Sequence, residues 1–248
     1  MIPENEYHTA EQQNVLLEMM KELHVFLEQN QIVYSLSSGT LLGAIRHQGF
    51  IPWDDDVDIM LDRENYTRLL EILSEHEGYV VQKSLWIHRI RRKSDEALGA
   101  KAPTIDLFVM DGAPDSGLLQ KYKVLRLKML QGMMKTETDY SGYSFPYRMC
   151  LRVTHLMGKL FSYERKFKKY DRVSQWGSKK ATQSVGCYND VFRCVGMRYP
   201  HDVMKQTSMH VFEDTEFRII DQYDRYLTIM YGDYMTPPPE AERKPMHM

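Results

Sequence analysis

The chain is expected to adopt an α+β fold, a mixed β-sheet core with flanking helices followed by a helical and basic second half. Three observations predict this. A long run with helical spacing opens the chain. Short β-rich runs, two of them carrying acids, fill the stretch up to about residue 110. Positive charge then gathers over residues with helical patterning. At 248 residues the chain suits one large domain, or one domain with an elaborated second half. The division expected is a core at residues 1–115 and an elaboration at 116–248 that packs back on it.

The elements follow in order. Val15, Leu16, Met19, Leu23, Phe26 and Leu27 recur at helical spacing and predict a helix from about Thr9 to Asn30. A strand is expected at Val33–Leu36, then a short helix from Thr40 to Arg46, then a strand around Asp56. Tyr66, Leu69, Leu70 and Leu73 give a helix over Arg63–His76 an inward face. Strand-like runs follow at Tyr79–Gln82, Leu85–Arg91 and Thr104–Met110. Beyond these the chain reads as helical to about Gln175, with a polar loop at Gly177–Ser184. A hairpin is expected at Met209–Ile220, turning near Glu213 and Asp214, then a helix over Gln222–Tyr231. The tail from Pro237 is Pro-rich and irregular.

The densest chemistry lies between Tyr34 and Met60. Ser38, Gly39 and Thr40 form a small-residue turn opening a helix, where backbone N–H groups can face a phosphate. Four aspartates then fall within five residues, Asp54, Asp55, Asp56 and Asp58. Side chains alternate on a strand, so Asp56 and Asp58 share a face roughly 6–7 Å apart. Two such carboxylates can hold a hard divalent cation, while Val57 and Ile59 turn to the core. Asp54 and Asp55, just after Pro52, read as a solvated turn. An EF-hand is excluded, because its Gly and distal Glu are missing at the required offsets. A third carboxylate is expected from Thr104–Val109, an apolar β-rich run with Asp106 inside it, since a buried Asp is costly unless paired or metal-bound. Its other reading is a strand-end cap, a role that Asp111 suits better.

The run GTLLGAIRHQGFIPWDDDVDI, from Gly39 to Ile59, resembles the signature of the LicD family of phosphotransferases, part of the nucleotidyltransferase-fold superfamily. Ile105-Asp106-Leu107-Phe108 looks like the family's second acidic strand. Tyr231-Gly232-Asp233-Tyr234-Met235, followed by Pro238, is similar to its closing motif. The resemblance implies a nucleotidyltransferase-like core. It also implies Mg²⁺ or Mn²⁺ held by Asp56, Asp58 and Asp106, which are both the catalytic and the metal residues of this expectation. The implied donor is CDP-choline or a related CDP-alcohol. Phosphocholine would pass to a hydroxyl of a cell-surface glycan precursor, of teichoic acid or lipooligosaccharide type, with release of CMP. The alternatives are transfer of a nucleotidyl group, or of another phospho-alcohol such as ethanolamine or a sugar phosphate, by the same fold. A non-catalytic module binding nucleotide or anionic glycan is the remoter rival.

Further candidates flank the motif. Arg46 ends the cradle helix and can bind a pyrophosphate bidentately. His47 either orients a carboxylate or lies in solvent. Arg89 sits where the family often shows a Lys and would face donor phosphates, or else is a surface Arg. Trp53 offers a cation–π face for a quaternary ammonium. Trp86 fits a packed core better.

The near-neutral charge of −2 hides an asymmetry: residues 121–180 hold fifteen Lys and Arg against four Asp and Glu. Two apolar helical patterns run through this block, one along Leu118, Leu119, Tyr122, Leu125, Met129 and Met133, the other along Leu151, His155, Leu156, Leu160 and Phe161. They either pack on the core or dock the block, with Lys166, Lys168 and Lys169, on an anionic membrane or a polyanionic glycan. Nucleic acid is not expected as a partner. No apolar run is long enough to cross a bilayer, and MIPENEYHTAEQQ lacks a secretory core. Cys150, Cys187 and Cys194 form no CxxC and read as reduced thiols. The expected location is the cytoplasm, with peripheral contact at the inner face of the membrane.

Overall fold

A computed structural model describes residues 2–135, 145–177 and 182–245. Parts of the basic block, half of the loop expected at 177–184 and the end of the tail lie outside the described residues. In chain order the elements are helix α1 (Ala10–Gln29), strand β1 (Ser35–Leu36), helix α2 (Ser38–His47), β2 (Val57–Asp62), α3 (Arg63–Ser74), β3 (Tyr79–Ser84), β4 (Ile87–Arg92) and β5 (Ile105–Gly112). Then come α4 (Gly117–Met134), α5 (Phe145–Gly158), α6 (Tyr163–Ser174), β6 (Ser184–Cys187), β7 (Tyr199–Pro200), β8 (Thr207–Phe212), β9 (Thr215–Ile220) and α7 (Tyr223–Tyr231). The class is α+β, as the sequence predicts, and the two long N-terminal helices fall within two residues of their expected bounds. Leu85 is not in a strand. It takes φ +52° in the turn between β3 and β4.

Two compact units result: Met1–Gln82 with His88–Met110 and Asp202–Met248, and Lys83–Ile87 with Asp111–His201. The hairpin and last helix thus group with the N-terminal part of the chain. In the first unit the strand order is β1-β2-β5-β4-β3. β2 and β5 are parallel, with Asp58 opposite Asp106, whereas β1 joins β2, and β4 joins β5, antiparallel. Val57, Ile59 and Leu61 alternate with Asp58 and Met60 on β2, and Ile105 and Leu107 alternate with Asp106 on β5. The aliphatic set is fully buried, as are Leu16, Leu23 and Leu27 of α1 and Leu69 of α3. Burial on this scale supplies the main stabilising term of the unit.

Helix α2 carries Gly39 and Gly43 one turn apart, on one face. A Cβ on Gly43 would lie 2.4 Å from the Gly49 carbonyl oxygen, and one on Gly39 would lie 2.8 Å from Asp54 Oδ2. The helix stops at Gln48, in a left-handed conformation at φ +58°, and the chain folds straight back over the two glycines. The returning loop is held from three sides. Thr9 donates to the Pro52 carbonyl at 2.7 Å, and Gln13, fully buried, donates to the carbonyls of Ile51 and Asp54. Gln12 donates to the Asp55 carbonyl. Glu213, at the tip of the β8–β9 hairpin, accepts from the Phe50 amide at 2.9 Å. The hairpin pairs Phe212 with Thr215 around Glu213 and Asp214, as the sequence predicts. Ile220 then donates to Ser35 Oγ, and the Tyr226 hydroxyl lies 3.0 Å from Ser37 Oγ.

In the second unit a core forms from Leu127, Leu130, Phe167, Tyr170, Tyr188 and their neighbours. Trp86 belongs here: it stacks on Tyr170 and donates Nε1 to the Asp190 carbonyl at 3.0 Å. That is the packed-core role and not a ligand cage. The inner face of α4 includes Gln120, Lys123 and Gln131, all buried. Lys123 Nζ donates to the carbonyls of Gly112 and Trp176 at 2.9 and 2.8 Å, and lies 3.4 Å from the centre of the Tyr188 ring. These contacts replace hydration of the buried ammonium.

If the fold of the loop depends on the bare faces of α2, Gly43→Ala is expected to cost about 1–3 kcal/mol, because the opposing atom is backbone and cannot step aside. Gly117→Ala, where the new methyl meets nothing within 4 Å, serves as the control. Urea midpoints of the two variants check this; equal midpoints would show that the loop yields freely.

Candidate active site

The site is built on two neighbouring strands. Because β2 and β5 run parallel with Asp58 opposite Asp106, both carboxylates leave the sheet on the same face. Strands at this spacing set opposed residues roughly 5 Å apart. Both aspartates are buried. Arg89, opposite Asp106 on β4, grips that carboxylate with two contacts, Nε to Oδ1 at 2.8 Å and Nη2 to Oδ2 at 3.1 Å. The guanidinium offsets the charge of this buried carboxylate, and its Nη2 hydrogen bond orients it.

The small-residue turn sits at the start of β2. Ser37 donates its amide to the Asp58 carbonyl, and Asp58 donates its own amide to Thr40 Oγ1, both at 2.9 Å. Thr40 is buried and its hydroxyl oxygen helps to fix the strand by accepting the Asp58 amide. Ser38 enters the helix at φ +47°, a conformation uncommon for a residue with a side chain. Gly39 has the Asp54 carboxylate against it. The structure therefore sets an acid at the turn where the sequence suggests a phosphate cradle.

Asp54 and Asp55 correct the expectation of a solvated turn. Asp55 is buried, and Asp54 Oδ2 is buried without a hydrogen-bond partner. Burial, then the charges of Asp56 and Asp55, push the Asp54 carboxyl well above its ordinary value. The signal that could have found Asp54 is the glycine pair one turn apart on α2, which marks a close backbone approach.

Among the described residues no three His, Cys, Asp or Glu side chains are drawn together into a finished metal cage. Oxygen donors nonetheless suit a hard cation. A buried carboxylate oxygen without a donor, a carboxyl raised by neighbouring negative charge, and two aspartates side by side are what a divalent cation would relieve. These grounds bear on Asp54 and on the Asp58–Asp106 pair, whose oxygen donors suit such an ion, while Asp56 lies one residue before β2 and beside Asp54.

Residues 31–126 match the family model described as LicD/FKTN/FKRP, nucleotidyltransferase domain. The chain is 30% identical to the lipopolysaccharide cholinephosphotransferase LicD of Haemophilus influenzae, over 96% of its own length and 95% of that protein's. It belongs to the LicD family. Uncharacterised proteins of Rickettsia prowazekii and Rickettsia typhi are 50% and 45% identical over 27% of this chain, covering 26% and 22% of their own lengths.

The remaining candidates of this LicD-family chain lie along α2 and the loop after it. Arg46 donates Nη1 to the Tyr234 carbonyl at 2.8 Å, which pins the closing motif. Tyr234 in turn donates to Asp224 at 2.7 Å. His47 is exposed at the end of α2 yet partly desolvated. Desolvation, with the Arg46 charge beside it, pushes its imidazole below the usual value. Trp53 meets His47 and Tyr7 edge-on, with ring centres 6.3 and 5.7 Å away. The guanidinium of Arg243 lies 5.3 Å from its ring centre, so the Trp53 face already receives a cation. Neither Tyr7 nor Arg243 was legible in the sequence, for they come from the two ends of the chain.

Asp54 gives a testable pH dependence. Its carboxyl is raised above the ordinary 3.8 in the folded chain, so the folded state holds the proton more tightly than the unfolded one. The penalty is absent below 3.8 and grows as pH rises through the folded value. Asp54→Asn is expected to raise the denaturation midpoint at pH 7, with the gain shrinking as pH falls toward 4. Denaturant titrations across that range check this. A gain that does not change with pH would mean that the charge of Asp54 is not the cause.

Proposed function

We propose that this chain transfers phosphocholine from CDP-choline, or a closely related CDP-alcohol, to a hydroxyl of a cell-surface glycan precursor, with release of CMP. The observation that carries this reading is the similarity, over nearly the whole of both chains, to a lipopolysaccharide cholinephosphotransferase. The acidic pair at Asp58 and Asp106, in register on parallel strands, supports the chemistry. On this reading the enzyme is a transferase that resides at the inner face of the cell membrane, where a lipid-linked acceptor is presented.

Asp56, Asp58 and Asp106 would hold Mg²⁺ or Mn²⁺, and the cation would neutralise donor phosphate charge and favour the attacking hydroxyl. The chain's own residues do the rest. Thr40 and Ser37 fix the backbone of Asp58 at the start of β2. Arg89 orients the Asp106 carboxylate, which takes the proton of the acceptor hydroxyl as the new P–O bond forms. The bond between the two donor phosphates breaks in line, and CMP leaves with the electron pair. Trp53, flanked by Tyr7 and His47, would receive the quaternary ammonium.

A second reading, nucleotidyl transfer, is favoured by the name of the matching domain. Product analysis separates the two. Release of CMP marks phospho-alcohol transfer, whereas release of the phospho-alcohol marks transfer of the cytidylyl group.

Asp58→Asn is expected to abolish transfer while leaving the fold intact, a loss on the order of several kcal/mol in transition-state stabilisation. CMP release measured with and without EDTA checks the cation directly. Full turnover in EDTA, or an active Asn variant, would remove the metal mechanism.

The Trp53 cluster predicts donor preference. CDP-choline is expected to bind more tightly than CDP-ethanolamine, and Trp53→Ala to narrow the gap by about 1–2 kcal/mol. Arg243→Ala is expected to widen it, because it frees the ring face from its own cation. Calorimetry with both donors checks this, and equal affinities in the wild type would reject an ammonium cage.

A further inference from the structure

Helices α4 and α5 of the second unit present an unusual outer surface. α4 buries one apolar row, through Leu127, Leu130 and Met134, and exposes a second. The outer row, Leu118, Tyr122, Leu125 and Met129, follows the i, i+4, i+7, i+11 spacing of one helical face. Leu118 is 81% exposed. α5 repeats the pattern with Phe145, Met149, Val153 and Leu156, and Leu160 in the following turn is 78% exposed. The two helices are locked together on another side. Gly132 of α4 approaches Thr154, and Gly158 of α5 approaches the Met133 carbonyl, so closely that neither site admits a Cβ without displacement. The pattern that the sequence suggests for α4 is thus the outward one. Its inward face was obscured by Gln120, Lys123 and Gln131.

The charge of this surface has one sign. Neither 117–135 nor 145–161 contains an Asp or Glu, while Lys121, Arg148, Arg152 and Lys159 lie exposed among the apolar residues. α6 differs. Its apolar residues Phe167, Tyr170 and Val173 face the core, and Lys166 donates to the carbonyls of Met133 and Gly158 at 3.0 Å each. Lys166 therefore fixes α4 to α5, and α6 has no apolar row left to insert.

We propose that the outer rows of α4 and α5 form a docking surface for an anionic lipid bilayer, with the leucines and Phe145 entering the interface and the Lys and Arg side chains meeting acidic headgroups. Apolar patches of this extent mark interaction sites. An amphipathic helix that lies in a membrane interface combines an apolar face with Lys and Arg and few acids. A second copy of the chain is the weaker occupant, because a two-fold contact would set this acid-free surface against itself. No helix among the described residues is long and apolar enough to cross a membrane, so the contact is a surface one.

Flotation of the full chain with vesicles tests the proposal. Wild-type protein is expected to float with phosphatidylcholine vesicles containing phosphatidylglycerol, and far less with phosphatidylcholine alone. Raised salt should weaken the binding, since headgroup attraction is screened over about a Debye length. The variant Leu118→Gln/Leu125→Gln/Leu156→Gln alters only exposed positions. It should keep the wild-type thermal midpoint and lose at least about tenfold in vesicle affinity. Lys121→Gln/Arg148→Gln should lose the salt-sensitive part alone. Wild-type protein that stays in the supernatant at low salt would overturn the proposal. So would a wild-type dimer in light scattering that the triple variant converts to monomer without any change in flotation.

Discussion

The parallel pairing of β2 with β5 is the constraint on which the first unit is arranged. It sets Asp58 beside Asp106, two buried carboxylates on one face of a sheet. Like charges opposed across strands destabilise a sheet, and burial adds a desolvation cost. The surrounding elements read as responses to that cost. β4 supplies Arg89 in register, so one carboxylate gains an ion pair and a hydrogen bond. α2 begins where β2 begins, so that Thr40 can accept the Asp58 amide and Ser37 can bond the Asp58 carbonyl. Slipping β5 by one residue would turn Asp106 into the aliphatic layer and Leu107 onto the acidic face. The register and the site are therefore one decision.

The acidic loop extends the same logic beyond the sheet. Its backbone is fixed by groups remote in sequence: Thr9, Gln12 and Gln13 from the start of α1, and Glu213 from the hairpin. None of these contacts touches the side chain of an aspartate in the loop. They hold backbone carbonyls and one backbone amide, so the path of the loop is fixed through its main chain. Asp54 is the extreme case, pressed on Gly39 with an oxygen that finds no donor. A fold selected for stability alone would not gather Asp54, Asp55 and Asp56 where their charges oppose one another. Such local conflict is characteristic of functional sites.

What the sequence made legible follows from local rules. Alternation in Val57–Leu61 identified the strand and the face of Asp58. Apolar spacing identified α1 and α3, and Glu213 with Asp214 gave the hairpin turn. What stayed hidden was decided by tertiary contact. Arg89 reads as a phosphate ligand or a surface residue until the register of β4 sets it against Asp106. Asp54 reads as solvated until the glycine face of α2 brings the loop down on it. On α4 the more regular apolar pattern is the outer one, because the inner face spends Lys123 and Gln131 on buried carbonyls and rings. A pattern rule that equates apolar with inward fails where both faces of a helix have a use.

The cluster at Trp53 joins distant parts of the chain at one ring. Tyr7 comes from the N-terminal segment, His47 from the end of α2 and Arg243 from the tail. Arg46, next to His47, holds the tail in place through the Tyr234 carbonyl. His47, pushed toward its neutral form by burial and by Arg46, adds no charge of its own against a cation on Trp53. A guanidinium over an indole face is attracted by the ring quadrupole, and a quaternary ammonium is attracted by the same term with less hydration to lose. On the proposed function the two cations would be alternative occupants of one surface, and the tail that bears Arg243 would lie on the path of that exchange. The tail then has two separable parts: Tyr234 secures it through its carbonyl, and on the proposed function the residues beyond it would set how readily the Trp53 face is released to a ligand.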